Sequence, residues 1–511
     1  MSDDLVAGGV IAPEGKTAVA GRLGGQALYV LAGNIFTLLV GLPLQIYVSR
    51  TLGSGGLGTF SLLEGVAGTI AGFLGLGLAA TAVRFIPQYL EEGDFVSIRK
   101  LISNGALILA LLGAAGYAMF VVFCFDMPST AVLRSTPAAV FLVGAMIPLG
   151  LLTYFAQQSL RGFQEIRYLI AGSSFLQLTV KTTATVVLFL LGAKLAGYAF
   201  AAALAALVAL VWMTVGVVRK LGTLRPQTER PSSNGPWKRY AAISFATSLV
   251  SLPSAYLDRF LLGIFAGTGA VGVLVVARQL QQLPGVLYQM LLSVAAPMFS
   301  GAHARGARDE QAHLYALITD WAVKAALPLV VFLSLFARPV LGLFGQQFAD
   351  IGTVPIQILM AAQLFNLASG PNGNVAVMCG LEREALRVDV VMLLATALLL
   401  VVLVPAYGLL GVALSVLANA IAHNVWTFLI VRKNLRINWW DRRYLGWVGP
   451  AAAMFAVGLL AARNVQTWNA LLLALTLIAM YVTFAGVSLI QGLHSDDREL
   501  IALVRRQLAF K

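Results

Sequence analysis

The chain has 511 residues, of which 59% are hydrophobic and 11% charged. Soluble proteins carry about 25% charged residues, so the composition excludes a water-soluble globular fold and points to a polytopic membrane protein. The net charge of +13 does not indicate nucleic acid as a partner, because the basic residues stand in short loops between apolar runs.

In chain order, fourteen apolar spans are predicted: 27–49, 59–83, 101–123, 137–160, 168–191, 195–218, 240–265, 271–297, 312–336, 351–378, 388–405, 409–431, 444–462 and 468–491. Each is long enough to cross a bilayer as a helix. Helices are expected because backbone groups in lipid must be satisfied within the segment. The alternating ten-residue strands of a membrane barrel are absent from the pattern. Residues 1–25 include Asp3, Asp4 and Glu14, and the first apolar run is too long for a signal h-region, so no cleavable signal is expected. Cys124 and Cys379 have no motif spacing.

Between the first two spans lies a glycine-rich turn, Gly53-Ser-Gly-Gly-Leu-Gly58. It fits G-x-G-x-x-G, but the strand that a dinucleotide site requires is missing. A similar turn, Gly267-Thr-Gly-Ala-Val-Gly272, follows 214 residues later. At the same offset Ala82 and Phe85 fall on Ala296 and Phe299, and Leu195 and Gly197 on Leu409 and Gly411. A constant offset at separated landmarks predicts a duplicated six-helix unit. Six is even, so both copies insert the same way up, related by a pseudo-twofold along the membrane normal. The expected organisation is an N-terminal lobe (1–218), a basic linker (219–239), a C-terminal lobe (240–431), and two added helices with an amphipathic tail (432–511).

The segments on the side of the N-terminus hold 26 Lys and Arg, and the opposite loops hold five. This bias places both termini in the cytoplasm. Helix breakers are concentrated in Ser369-Gly-Pro-Asn-Gly-Asn374. Backbone groups freed there need protein or water partners.

No HExxH or phosphate-binding G-x-x-x-x-G-K-[ST] occurs, and no large extramembrane segment is available for catalysis. The informative residues are the charges inside spans, each of which costs about 2.5–3.5 kcal/mol at the bilayer centre on insertion scales. At 1.5 Å per residue, Glu64, Asp258, Arg259 and Arg278 lie roughly 8–12 Å below the outer ends of their spans. Glu64 and Arg278 are related by the 214-residue offset. They are candidates for gating, or for a structural ion pair in which Asp258 is the other available acid. Lys181, Lys324 and His423 lie nearer the midplane. Asp320 stands four residues before Lys324, on the same helical face, and can neutralise it. His423, beside Asn419 and Asn424, reads as an interhelical hydrogen-bond donor or as a proton relay. No carboxylate lies near Lys181 in its own span, which favours a cation facing an anion.

The run LGSGGLGTFSLL, followed by an apolar helix and RFIPQYLEEGD, resembles the polysaccharide-export flippases of the multidrug/oligosaccharidyl-lipid/polysaccharide superfamily. LDRFLLGIFAGTGAVGVLVVARQL is similar to that family's seventh and eighth helices. The resemblance covers spans 1–12. It implies two six-helix lobes in a V around a cavity, no cofactor and no enzymatic activity. It implies transfer of an undecaprenyl-pyrophosphate-linked oligosaccharide, such as an exopolysaccharide or O-antigen repeat unit, across the bacterial inner membrane by alternating access. Lys181, Lys324 and Arg278 would be the cavity cations, and Glu64, Asp258, Arg259, Asp320 and His423 would couple or gate. The implied partners are the lipid-linked oligosaccharide, membrane lipids, a polysaccharide polymerase and chain-length or export proteins. Two related activities stay open: a cation-coupled multidrug exporter, which Asp258 would suit, and a lipid II flippase, which the absence of charge in span 1 before Arg50 disfavours.

Overall fold

The computed structural model describes residues 16–75, 77–126, 136–224, 237–438, 440–492 and 496–498. Most of the linker and the tail beyond 498 lie outside the described residues, which contain helices and no strand. In chain order they are α1 (Lys16–Leu74), α2 (Leu78–Glu91), α3 (Phe95–Asp126), α4 (Pro137–Gly162), α5 (Ile166–Leu190), α6 (Leu195–Thr223), α7 (Trp237–Ala304), α8 (Arg308–Leu335), α9 (Ala337–Gly342), α10 (Gln346–Ala368), α11 (Asn372–Met378), α12 (Glu382–Tyr407), α13 (Leu409–Leu435), α14 (Val448–Asn464) and α15 (Ala470–Gln491).

Twelve of these helical segments, among the described residues, are long and apolar enough to span a membrane. The protein is therefore an all-α polytopic membrane protein. α1 and α7 run for 59 and 68 residues. At 1.5 Å per residue each would be nearly 90 Å or more in length, about three times a 30 Å hydrocarbon core. Both are interrupted at the repeat-equivalent glycines, Gly53 (φ 67°, ψ 177°) and Gly267 (φ 78°, ψ 174°). Positive φ is where glycine has no steric penalty. On one straight helix Asp258 and Arg278 would stand about 30 Å apart, yet their side chains meet at 2.7 Å. α7 therefore doubles back at Gly267 and supplies two crossings. Counting α1 in the same way brings the total to the fourteen expected from hydropathy.

Two breaks depart from a simple span pattern. The run 59–83 is not one helix, because α1 stops at Leu74 and α2 starts at Leu78. Gly77 between them is left-handed (φ 66°). A Cβ there would stand 2.8 Å from the Phe245 backbone nitrogen, so only glycine permits this approach. The run 351–378 divides into α10 and α11 at Ser369–Pro371. Here the freed backbone is satisfied by protein. The Tyr315 hydroxyl donates to the Ser369 carbonyl (2.5 Å), Asn372 Nδ2 donates to the same oxygen (2.8 Å), and Tyr315 and Asn372 are buried.

The chain forms two compact units, Met1–Gln45 with Val66–Leu252, and Ile46–Gly65 with Pro253–Lys511. In the first, α4 and α6 are central. α6 buries an alanine stripe including Ala199, Ala202, Ala205, Ala206 and Ala209, which allows close helix approach. In the second, Phe299, Tyr315, Val375, Ala376, Val431 and Ile437 form a buried cluster. The repeat is visible in both units. Phe85 and Phe299 are both buried. Gly197 and Gly411 each sit just inside a helical hairpin: a Cβ would lie 3.1 Å from Leu188 Cβ at the first and 2.6 Å from the Leu403 carbonyl carbon at the second.

The two glycine turns meet inside the second unit. A Cβ at Gly58 would fall on the Thr268 carbonyl oxygen and stand 2.9 Å from the Gly272 nitrogen, and a Cβ at Gly272 would fall on the Ser54 carbonyl oxygen. Thr268 is the repeat equivalent of Ser54, and Gly272 of Gly58, so the contact is reciprocal. Gly58→Ala or Gly272→Ala is expected to cost more than about 3 kcal/mol, because rigid backbone blocks the methyl group. Gly150→Ala, with open space around it, should be near neutral. Thermal unfolding of the purified variants in detergent checks the contrast.

Candidate functional site

The second unit contains a polar cavity of about 300 Å³. Three helices line it, each with polar residues recurring three or four apart: Arg278 with Gln281 and Gln282 from α7, Gln363 with Asn366 from α10, and Asn419 with His423 from α13, where Asn424 lies next to His423. That spacing puts each set on one helical face. Arg278 and Asn419 each lie eleven residues beyond a hairpin glycine, Gly267 and Gly408, or ~16 Å at 1.5 Å per residue.

Arg278 lies on the cavity wall, but its charge is already neutralised. Its guanidinium donates to Asp258 Oδ2 at 2.7 Å and to Gln281 Oε1 at 3.2 Å. Asp258 is buried and also accepts from the Arg259 backbone nitrogen (2.8 Å). Burying the pair without mutual contact would be costly for both groups. The partner of Arg278 is thus Asp258, not the repeat-equivalent Glu64. Glu64 is half-buried and forms no ion pair among the described residues. Arg259 donates to Ser61 Oγ at 3.3 Å and lies over the Tyr256 ring at 5.4 Å. His423 Nε2 is 3.0 Å from Asp389 Oδ1.

Lys324 is placed differently from the cavity cation that its position in the span leads one to expect. Its ammonium is 2.7 Å from both Asp320 Oδ2 and Asp497 Oδ2. The second oxygen of each carboxylate accepts from an indole: Trp447 to Asp320 at 2.8 Å, and Trp321 to Asp497 at 2.9 Å. Arg443 and His313 approach Asp496 at 3.3 and 3.5 Å. One lysine thus ties α8 to the start of the C-terminal tail and, through Trp447, to the entry of α14. Charge-assisted bonds of this kind are roughly twice as strong as neutral ones. The i,i+4 spacing of Asp320 and Lys324 was readable from the sequence. Asp497 and the two tryptophans were not, because they arrive from remote segments. Outside the spans, burial pushes the Cys379 thiol up, in keeping with a packing role.

Lys181 lies in the first unit, on α5, and its ammonium sits 4.8 Å from the centre of the Tyr198 ring. One turn earlier, residues Ala171–Leu176 form a π-helical turn. Such turns recur at functional sites because they re-aim the side chains that follow.

Residues 23–303 match the family described as polysaccharide biosynthesis protein. This is more than half of the chain. The chain belongs to that family. Over 391 residues it is 20% identical to the probable flippase AglR of Haloferax volcanii, covering 76% of this chain and 78% of the relative. The fold resembles the inward-closed conformation of the lipid II flippase MurJ (TM-score 0.64, 15% identity, 89% of this chain and 98% of the other). It also resembles the inward-facing conformation of a multidrug resistance MATE family transporter of the MOP superfamily (TM-score 0.62, 17% identity, 79% and 98%). At these identities the likeness concerns the fold.

Asp258→Asn or Arg278→Gln alone should each destabilise the protein by about 3 kcal/mol, leaving one charge without its partner. The double variant should recover most of that loss. A double-mutant cycle on unfolding of the detergent-purified protein measures the coupling.

Proposed function

We propose that this protein is a flippase and not an enzyme. It carries a lipid-linked oligosaccharide, an undecaprenyl-pyrophosphate-linked exopolysaccharide or O-antigen repeat unit, to the outer leaflet of the bacterial inner membrane by alternating access. The observation that carries the reading is membership of the polysaccharide biosynthesis family across residues 23–303. A pyrophosphate cannot cross hydrocarbon bare, because removing its charge from water costs too much. The pyrophosphate contact is assigned to Lys181, a cation near the middle of its span, because a buried cation facing a wet cavity suits an anionic headgroup. The Asp258–Arg278 pair also argues against a cation exporter, since the carboxylate such a site would use is already matched.

Lys181→Met keeps the length of the side chain and removes its charge. It should insert normally, since it lowers the insertion cost. Cell-surface polysaccharide in a deletion strain carrying this variant should fall, with the lipid-linked intermediate accumulating on the cytoplasmic leaflet. Lys181→Arg should retain part of the activity. Normal polysaccharide with Lys181→Met would remove this residue from the site. Loss of drug resistance with intact polysaccharide in the deletion strain would overturn the flippase reading.

Both termini are placed in the cytoplasm by the excess of basic residues on that side. Reporter fusions at Leu221 and Gly267 should give opposite signals, and identical signals would refute the orientation.

A further inference from the structure

We infer that the polar cavity of the second unit is a saccharide subsite, holding one uncharged sugar ring of the carried lipid. The inference rests on the flippase reading and adds which chemical part of the substrate this cavity takes.

The first ground is that the repeat does not demand these residues. At the 214-residue offset, Gln282, Gln363, Asn366, Asn419 and His423 fall on Gly68, Leu149, Leu152, Ala205 and Ala209. The two alanines are buried in the first unit. The same helical framework is therefore built with small and apolar side chains in one copy. Polar side chains cost free energy in a membrane span, so a stripe present in one copy only needs a reason other than the fold.

The second ground is hydrogen-bond capacity. Gln281 is engaged at both ends, accepting from Arg278 at 3.2 Å and donating to the Leu359 carbonyl at 3.3 Å. Asn424 donates to Asn366 Oδ1 at 2.6 Å, and Asn419 Oδ1 accepts from Thr396 at 3.0 Å. Among the described residues, the Asn366 and Asn419 amide nitrogens, the Asn424 carbonyl oxygen and both ends of Gln282 and Gln363 keep their capacity. Donors and acceptors are thus interleaved around the space, with Arg278 matched by Asp258 and His423 Nε2 in contact with Asp389 Oδ1.

That mixture selects the ligand. A phosphate needs donors and net positive charge, and carboxamide oxygens oppose it. A metal cation needs acceptors only, and carboxamide NH₂ groups oppose it. A sugar hydroxyl both donates and accepts, so adjacent ring hydroxyls match carboxamides at both ends. A volume of about 300 Å³ lies at the lower edge of small-molecule pockets, about 300–1,000 Å³. It suits one ring rather than an oligosaccharide with its lipid.

The test uses the full chain in nanodiscs and two probes: undecaprenyl pyrophosphate, and the same lipid bearing a short neutral oligosaccharide. The variants Gln363→Leu and Asn419→Ala copy the residues of the other repeat, and Gln282→Ala alters an exposed side chain that packing does not need. Combining two variants should weaken binding of the sugar-bearing lipid about tenfold, the effect of one to two hydrogen bonds. Binding of the bare lipid should stay within twofold. Equal weakening of both probes, or no weakening of either, overturns the saccharide assignment. A sodium-dependent loss with both probes assigns the cavity to a cation and overturns it as well. A wild type that binds neither probe overturns the flippase reading itself.

Discussion

The second unit depends on two backbones pressed together without side chains between them. Gly58 lies on Thr268, and Gly272 lies on Ser54. The supporting contacts are reciprocal too: a Cβ at Gly55 would be 3.8 Å from Thr268 Oγ1, and one at Gly269 would be 3.5 Å from Ser54 Oγ. Carbonyls and glycine backbone at this distance exclude any side chain, so the crossing tolerates no alternative residue. The first turn is also held from outside, since Arg50 donates to the Leu343 carbonyl at 2.7 Å and Ser54 to Gln347 at 2.9 Å. From this crossing the two limbs of α7 descend in fixed register. That register brings Arg278 to Asp258 and sets Gln281 and Gln282 on the cavity wall.

The two repeats share this framework and differ in polarity. Glycine, alanine and leucine fill in one copy what carboxamides and histidine line in the other, while Arg278 stands where the first copy has Glu64. Duplication supplies a scaffold, and divergence at a few inward positions supplies chemistry. The intramembrane charges divide accordingly. Lys324 with its two carboxylates and two indoles secures the added helices. Asp258 with Arg278 fixes the α7 hairpin beside the cavity. Neither group is a bare charge in lipid, which is why both are compatible with a stable membrane-spanning bundle.

Most of the helical layout was legible from hydropathy and glycine placement. The span boundaries at 137, 195 and 409 coincide with helix starts, because transmembrane length and hairpin glycines are local constraints. The 214-residue offset was legible in part for the same reason, since its glycine landmarks include Gly53 with Gly267 and Gly58 with Gly272, where positive φ or close backbone approach requires glycine. Partner choice among charges was not. Arg278 takes Asp258 rather than Glu64 because the hairpin at Gly267 brings position 258 opposite 278, a matter of fold geometry. Lys324 could be seen beside Asp320, but Asp497 comes from 173 residues away. The amide cavity was equally hidden, because its three stripes lie on helices far apart in the chain, and only Asn419 and Asn424 stood out next to His423.

The chain order of the second unit has a consequence for biogenesis. Residues 46–65 belong to it although the next 187 residues belong to the first unit. The partner of Gly58, at Thr268, leaves the ribosome 210 residues later, or about 10–40 s at 5–20 residues per second. Throughout that interval the first turn sits in the membrane with its glycine surface uncovered. Insertion of the early helices must therefore precede their final packing. The nascent N-terminal half needs either lipid or an insertion factor to shield that turn until its counterpart is made.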